Sequence, residues 1–314
     1  TDLNNALDAN GLNANDGILG PHREKEGSFY ALKEIFSPIR VRLPAQLPAG
    51  FNGQIPLENR YHYLNAAQCT YYWALVDFSK PFDRFDGYQV KRKGTIASPD
   101  VPAGQKGVLQ LQLPEGYQAY DALVIVARDN FGKELYKWTT EIKSKQEQLL
   151  GFVTTKKDSA FIRETDSLYT LTGGDVSIML DKKSGNLFTT KNTTNDYVLS
   201  FNNGPILVKG SAALSSSRSF REGNEVVAEF NYTGNLKYTR WRMNSSGWAS
   251  LEYEYSNEGD LPFTGISFSY PENYVLGARW LGKGPSRQWK NRLAGTPLKM
   301  AQTVAGTHPR RQST

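Results

Sequence analysis

Two carboxyl side chains on one predicted strand are the first candidates for acid–base chemistry. Glu252 and Glu254 alternate with tyrosines in the segment 249–255. Residues two apart in a strand point to the same face, with about 7 Å between their Cα atoms. Such a pair is typical of a solvated strand face, and we predict that role for these glutamates rather than a catalytic dyad.

The other reactive residue types are sparse. The three histidines, His22, His62 and His308, are widely separated, and no spacing of Cys, His and carboxylate residues indicates a zinc site. The chain contains no Gly-x-Ser-x-Gly segment and no Gly-rich phosphate loop. We therefore predict no catalytic residue, no metal site and no cofactor. Cys69 is the single cysteine, which excludes an intrachain disulfide, and it is predicted to be a small strand residue.

Charge and hydropathy argue against two partner classes. The formal net charge is +6, but the basic residues are spread along the chain. Nucleic-acid binding needs a concentrated basic face or a recognised module, so we predict no nucleic-acid partner. No run approaches the roughly 18 apolar residues of a membrane helix, so we predict no membrane partner.

The first residues carry neither an initiator Met nor a signal segment, and the chain is expected to begin at an internal point of a longer protein. The compartment stays open, with a periplasmic or extracellular location as the working expectation.

The composition favours an all-β protein with two sandwiches. Aromatic residues make up 12% of the chain, and 28 Gly and 15 Pro separate short apolar stretches. An immunoglobulin-like β-sandwich is predicted over residues 39–145, because short strands follow one another with no room for crossover helices. Its predicted strands are 39–43, 54–64, 70–78, 108–113, 122–127 and 135–142.

A second, larger antiparallel β-sandwich is predicted over residues 146–300. The polar run 143–148 is the predicted linker to it. Hairpin turns are indicated at residues 172–175 and 181–185, where glycine follows or precedes polar residues between apolar runs. Residues 301–314 are polar without strand alternation, and we expect them to form an atypical tail behind an incomplete sandwich.

One amphipathic helix is predicted near the start of the chain. Apolar residues at 29, 32, 35 and 36 fall at helical spacing, and Ser28 is the predicted N-cap. Pro38 ends the helix because the residue before a proline is pushed out of the helical region. One short helix cannot form a domain, so its apolar face needs a partner.

Three segments, in order, resemble the family 2 glycoside hydrolases of the β-galactosidase type. The loop 16–21 and the helix that follows are similar to the last loop and final helix of that family's (β/α)₈ barrel. The sandwich with Glu58-Asn59-Arg60-Tyr61 resembles its penultimate immunoglobulin-like domain. Residues 174–187 and 203–206 resemble the opening of its C-terminal small-chain domain.

The most specific match is the segment 280–292. The family pattern is Gly-x-Gly-Pro, an acidic residue, an aromatic residue and Asp-Arg. The matching positions here are Gly282, Gly284, Pro285, Trp289 and Arg292. Arg287 and Asn291 stand where the family usually has acidic residues, so the contacts of those acids are not expected here.

The resemblance implies that this chain is a non-catalytic C-terminal portion of such an enzyme. Residues 1–38 are then a barrel remnant, and both catalytic glutamates belong to barrel strands that this sequence does not contain. The implied partners are the catalytic barrel of the same polypeptide and a β-galactoside or related β-glycan. The resemblance also leaves a homo-oligomer open.

Sugar contact is the one function that this portion could keep. Aromatic rings stack on pyranose faces, and Trp248 beside a glycine and Trp289 in a loop are the candidates. Trp241 and Trp280 lie in strand patterns and are predicted to be core residues. The alternatives to an enzyme portion are a free-standing carbohydrate-binding module and an adhesion protein built from sandwich domains.

Overall fold

The computed structural model is rich in antiparallel β-structure and confirms the all-β expectation at that level. It describes residues 18–19, 23, 25–80, 83, 85–150, 153, 159–192, 194, 197–199, 202–257, 259, 261, 263–271, 274–284, 293–296 and 298–304. The chain forms two compact units, one of residues 1–148 with 276–314 and one of residues 149–275. Residues 276–300 thus group with the first unit, whereas the sequence pattern assigned them to the second sandwich.

Between residues 25 and 148, the described part of the first unit contains helix α1 and then seven strands. The helix spans Gly27–Ile35. The strands are β1 (Ile39–Val41), β2 (Gln54–Asn59), β3 (Thr70–Phe78), β4 (Tyr88–Ile96), β5 (Lys106–Gln110), β6 (Ala122–Arg128) and β7 (Glu134–Glu141). They form two antiparallel sheets, ordered β1-β2-β5 and β4-β3-β6-β7.

Alternate residues of both sheets share one apolar core. Ile55 and Leu57 come from the first sheet, and Tyr71, Leu123 and Ile125 come from the second. This is the sandwich-like arrangement that period-2 alternation produces when each sheet buries one face. Cys69 is buried in the same core, and burial raises the pKa of its thiol.

The second unit contains eleven strands among its described residues. They are β8 (Phe161–Glu164), β9 (Leu168–Gly173), β10 (Val176–Asp181), β11 (Leu187–Asn192), β12 (Tyr197–Leu199), β13 (Asn202–Leu207), β14 (Ala212–Glu222), β15 (Glu225–Gly234), β16 (Leu236–Met243), β17 (Ala249–Tyr255) and β18 (Ile266–Ser269). The sheets are ordered β12-β11-β10-β9-β8, β14-β15-β16-β17 and β13-β18. Leu171, Leu180 and Phe230 belong to a core shared by the two larger sheets.

A hairpin of β19 (Gly277–Gly282) and β20 (Lys299–Val304) completes the first unit. Leu281 and Leu298 pack against Val76, Phe78 and neighbouring residues on the outer face of sheet β4-β3-β6-β7. Residues 301–304 of the expected atypical tail belong to β20. These residues pair with β19, and the pairing buries Ala301 although the segment lacks apolar alternation. Residues 305–314 lie outside the described part.

Two further local predictions need correction. Glu26, not Ser28, occupies the N-cap of α1, and Ser28 lies inside the helix. The predicted linker contains a short helix, α2 (Lys145–Leu150). It begins at a capping box, because the Glu147 carboxylate accepts from the Ser144 backbone N–H at 2.7 Å and the Glu147 N–H donates to the Ser144 hydroxyl at 3.2 Å.

No described helix has both the length and the apolar character needed to cross a membrane.

Candidate functional site

Of the two predicted sugar-contact residues, the structure describes Trp248 but not Trp289. Trp248 is described and its side chain is 41% exposed. Pro285, Trp289 and Arg292 of the Gly-x-Gly-Pro segment lie outside the described residues, as does His22. The structure therefore provides geometry for Trp248 and for the two glycines of that segment.

Gly282 and Gly284 lie against the indole of Trp280 at the end of β19. A Cβ atom at Gly282 would stand 3.1 Å from Cδ1 of Trp280, and one at Gly284 would stand 3.4 Å from Cζ2. Gly284 also has a φ of +141°, which favours glycine. The two glycines therefore let the chain pass close over the Trp280 ring.

The turn that carries Trp248 is organised by one buried amide. Asn244 accepts on Oδ1 from the backbone N–H of Ser246 at 2.9 Å and of Trp248 at 3.0 Å. The backbone N–H of Asn244 donates to the carbonyl of Trp248 at 3.0 Å. An asparagine at the start of a turn fixes the local conformation when its side-chain oxygen accepts from backbone N–H groups two and four residues further along.

The β9–β10 turn packs directly against this Trp248 turn. A Cβ atom at Gly173 would stand 1.9 Å from the carbonyl oxygen of Asn244, so only glycine fits there. Gly174 and Gly247 have positive φ values of +51° and +86°. Trp248 is therefore displayed from a turn whose backbone is held on two sides. A fixed, half-exposed indole offers an apolar ring face on which a flat ligand face can stack.

Trp241 lies in β16 and, unlike Trp248, is buried. It is 7% exposed and meets the Phe268 ring edge-on, with ring centroids 6.1 Å apart. It belongs to the core of the second unit. Of the two tryptophans in this region, only Trp248 can present its ring to a ligand.

Glu252 takes part in a row of charges that crosses one sheet face. Arg218, Glu229, Arg240 and Glu252 are directly paired in register across β14, β15, β16 and β17. Glu229 binds Arg218 at 2.7 Å and Arg240 at 2.5 Å. Arg240 also lies 3.7 Å from Glu252, whose other oxygen accepts from the Tyr238 hydroxyl at 2.6 Å. We call these four residues the charge ladder.

Glu229 is the buried member of the charge ladder, with 5% of its surface exposed. Burial by itself would raise the pKa of this carboxyl. The hydrogen bonds and positive charges of Arg240 and Arg218 outweigh burial and hold the pKa below its ordinary value. Among these carboxylates, the sequence pattern singles out Glu252 and Glu254 and does not indicate Glu229. Opposite charges recurring on successive strands were the available signal, but their alignment depends on the register of three hairpins.

Of the two glutamates that the sequence places on one strand face, Glu252 has partners in the structure. Glu252 is engaged by Tyr238 and Arg240, as described above. Within the described ranges, no group of three or more His, Cys, Asp and Glu side chains is placed to hold a metal ion.

Helix α1 is attached to the sandwich of the first unit by polar contacts. Lys33 binds Glu134 at 2.8 Å, and the Tyr136 hydroxyl donates to Glu34 at 2.8 Å. The Arg60 guanidinium donates to the carbonyl of Ile35 at 2.7 Å. No residue of the helix is buried, and the Phe36 ring just after it is 75% exposed.

Comparisons with protein-family models and with curated proteins give no match for this chain.

Proposed function

We propose that this chain is the non-catalytic C-terminal portion of a family 2 glycoside hydrolase of the β-galactosidase type. In this proposal residues 1–38 are the remnant of its barrel, residues 39–145 are its immunoglobulin-like domain and residues 146–300 are the start of its small-chain sandwich. The work of the two sandwiches is to support a catalytic barrel encoded before residue 1 and to shape the rim of its substrate pocket. The parent reaction is hydrolysis of a terminal β-galactoside or related β-glycoside.

The observation that carries the proposal is the exposure of apolar residues at the C-terminal end of α1. Ile35 and the following Phe36 are both exposed, although a helix of nine residues gains most of its stability from docking an apolar face. The side of α1 that touches the first unit does so through Lys33 and Glu34, which are polar. This arrangement fits a helix that is anchored to the sandwich and packs its apolar residues on a further domain.

The ion pair and hydrogen bonds at β7 support the same role. Glu34 accepts from the Tyr136 hydroxyl and from the backbone N–H of Gly295. A Cβ atom at Gly295 would stand 2.3 Å from the backbone of Ala31, so the 293–296 loop lies tightly against the helix. A buttressing domain needs such a fixed connection to the element it supports.

The decisive experiment compares this chain with the polypeptide extended upstream in its genomic reading frame. We expect the extended protein to hydrolyse o-nitrophenyl β-galactoside and this chain alone to show no turnover, because the proposal assigns both catalytic glutamates to the upstream barrel. Retaining glycosidases need two carboxyl groups about 5–5.5 Å apart. Turnover by the pure chain that survives removal of host β-galactosidase contradicts the proposal, and so does an upstream frame without a barrel.

The variant Phe36→Asp tests whether the exposed residue after α1 contacts the upstream domain. In this chain alone it should change the free energy of unfolding by less than about 0.5 kcal/mol, because the ring is exposed. In the extended protein it should reduce both stability and activity, because it places a charge in a domain contact. Phe131→Asp, another exposed phenylalanine in the first unit, is the matched control and should leave both proteins unchanged.

A free-standing carbohydrate-binding module is the second candidate, and the fixed, half-exposed Trp248 favours it. Calorimetric titration with β-1,4-galactotetraose tests it. If this module is correct, wild-type chain binds and Trp248→Ala weakens binding at least tenfold, because the indole supplies the stacking face. Phe188→Ala, an exposed aromatic of the same unit, should bind like wild type. Binding that Trp248→Ala leaves unchanged contradicts a site at this residue.

A further inference from the structure

The outer face of sheet β4-β3-β6-β7 carries both apolar and polar side chains beyond the part that the β19–β20 hairpin covers. Leu281 and Leu298 cover Val76 and neighbouring residues at one end of this face. At the other end the face forms an open groove with a volume of about 1100 Å³. This part of the sheet is exposed within the described structure, and Val90 on its edge strand is 50% exposed.

The shape of this groove follows from the register of three strands. Ala74 pairs with Lys93 on β4 and with Val124 on β6, and Tyr72 pairs with Thr95 and Val126 in the next row on the same face. Val124 is buried, at 2% exposure, so the half-buried Ala74 and Val126 form a shallow apolar floor. Tyr72, 39% exposed, stands beside them as one wall.

Two cationic side chains lie close to tyrosine rings on this face. The Arg128 guanidinium lies 6.0 Å from the centre of the Tyr72 ring, and the Lys137 ammonium lies 5.5 Å from the centre of the Tyr88 ring. Tyr72 makes no hydrogen bond through its hydroxyl within the described residues, so that group is available to a ligand. Cations beside rings attract an anionic group to the place where an apolar ring face is also exposed.

The groove has a net positive lining. Lys93 and Arg128 line it, and Asp129 is the carboxylate among its lining residues. One oxygen of Asp129 is occupied, because it accepts from the backbone N–H groups of Phe131 at 3.0 Å and Lys133 at 2.8 Å. The neutral polar residues Thr70 and Thr95 also line the groove and can exchange hydrogen bonds with hydroxyl groups.

We propose that this groove binds an acidic oligosaccharide, a chain of pyranose rings that carry carboxylates. The Tyr72 ring supplies a stacking face, the threonines supply hydroxyl partners, and Lys93 with Arg128 supplies the charge complement. The combination of ring face and neutral hydroxyl groups favours a sugar over an acidic peptide. The site goes beyond the proposed function, because its lining includes neither α1 nor Gly295 nor Trp248, on which that function and its alternative rest.

Calorimetric titration of the full chain with tetragalacturonate tests this proposal. We expect binding that weakens at least tenfold for Tyr72→Ala and at least fivefold for the pair Lys93→Gln and Arg128→Gln. Neutral β-1,4-galactotetraose should bind at least tenfold more weakly than the acidic tetramer. Tyr63→Ala and Lys106→Gln are matched controls at exposed positions of the first unit, and both should bind like wild type.

Three outcomes would overturn the proposal. The first is no detectable binding of tetragalacturonate by folded wild-type chain. The second is binding that the groove variants leave unchanged. The third is equal affinity for hexaglutamate, which would show an unspecific basic surface or a peptide site. Circular dichroism of each variant confirms its fold. The hydrolysis experiment with the extended protein has an independent readout, so the two proposals fail separately.

Discussion

Replacement of Glu229 by alanine is expected to lower the free energy of unfolding of the second unit by about 3 kcal/mol. The change removes the carboxylate that holds Arg218 and Arg240 in the charge ladder. Removing one partner of a buried ion pair costs about 3–5 kcal/mol. The low end applies because Arg218 keeps contact with solvent. Urea unfolding followed by circular dichroism measures the effect.

The same residue should make the stability of the second unit depend on pH. The folded-state pKa of Glu229 lies below the ordinary glutamate value of about 4.3. The stabilisation from the ionised carboxylate is therefore fully present above that ordinary value and is lost as the pH falls towards the folded-state pKa. Wild type and Glu229→Gln should differ most above about pH 5 and converge in acid.

Glu252→Ala is the matched control for the charge ladder. Glu252 is exposed and its bond to Arg240 is long, so its removal should cost no more than about 1 kcal/mol. Equal losses for Glu229→Ala and Glu252→Ala would show that burial of Glu229 contributes nothing to the ladder's strength.

Replacement of Trp241 by alanine is expected to cost the second unit about 3–5 kcal/mol. The change removes a large ring from the core and leaves a cavity beside Phe268. The indole Nε1 of Trp241 has no hydrogen-bond partner among the described residues. Trp241→Phe should therefore cost much less than Trp241→Ala, because it keeps most of the ring and removes a buried unpaired donor.

Trp248→Ala provides a matched comparison in the same unit. Its indole is half exposed, so its removal should cost about 1 kcal/mol or less. Chemical denaturation of the three tryptophan variants under identical conditions tests the contrast. A loss of 3 kcal/mol for Trp248→Ala would assign this residue to the core and remove the structural reason to regard it as a ligand contact.

Most strands with a clear apolar period could be predicted from the sequence. Strand β3 spans Thr70–Phe78 as predicted, because Tyr71, Trp73 and Leu75 alternate with outward-facing residues over its first six positions. Alternation of this kind reports a sheet with one buried face. The distinction between Trp241 and Trp248 also follows from local signals, since one lies in a strand pattern and the other follows a glycine in a polar turn.

Strand β4 and helix α2 could not be predicted from hydropathy, because their sequences show no apolar period. Strand β4 is almost entirely exposed and carries Lys91, Arg92 and Lys93, so its side chains show no apolar face. It forms because its backbone pairs with β3, a partner that hydropathy does not reveal. Helix α2 is too short for helical periodicity, and its signal is the capping box of Ser144 and Glu147.

The sequence by itself determined the β-rich class, the short strands and the amphipathic helix, because all three depend on periods within one segment. Tertiary structure alone decided the register of β14 to β17, which aligns the charge ladder and buries Glu229. It also decided that the β19–β20 hairpin covers only part of the outer face of the first unit. Both results depend on contacts between residues distant in sequence, and the energy of such contacts is set by neighbours that no local pattern specifies.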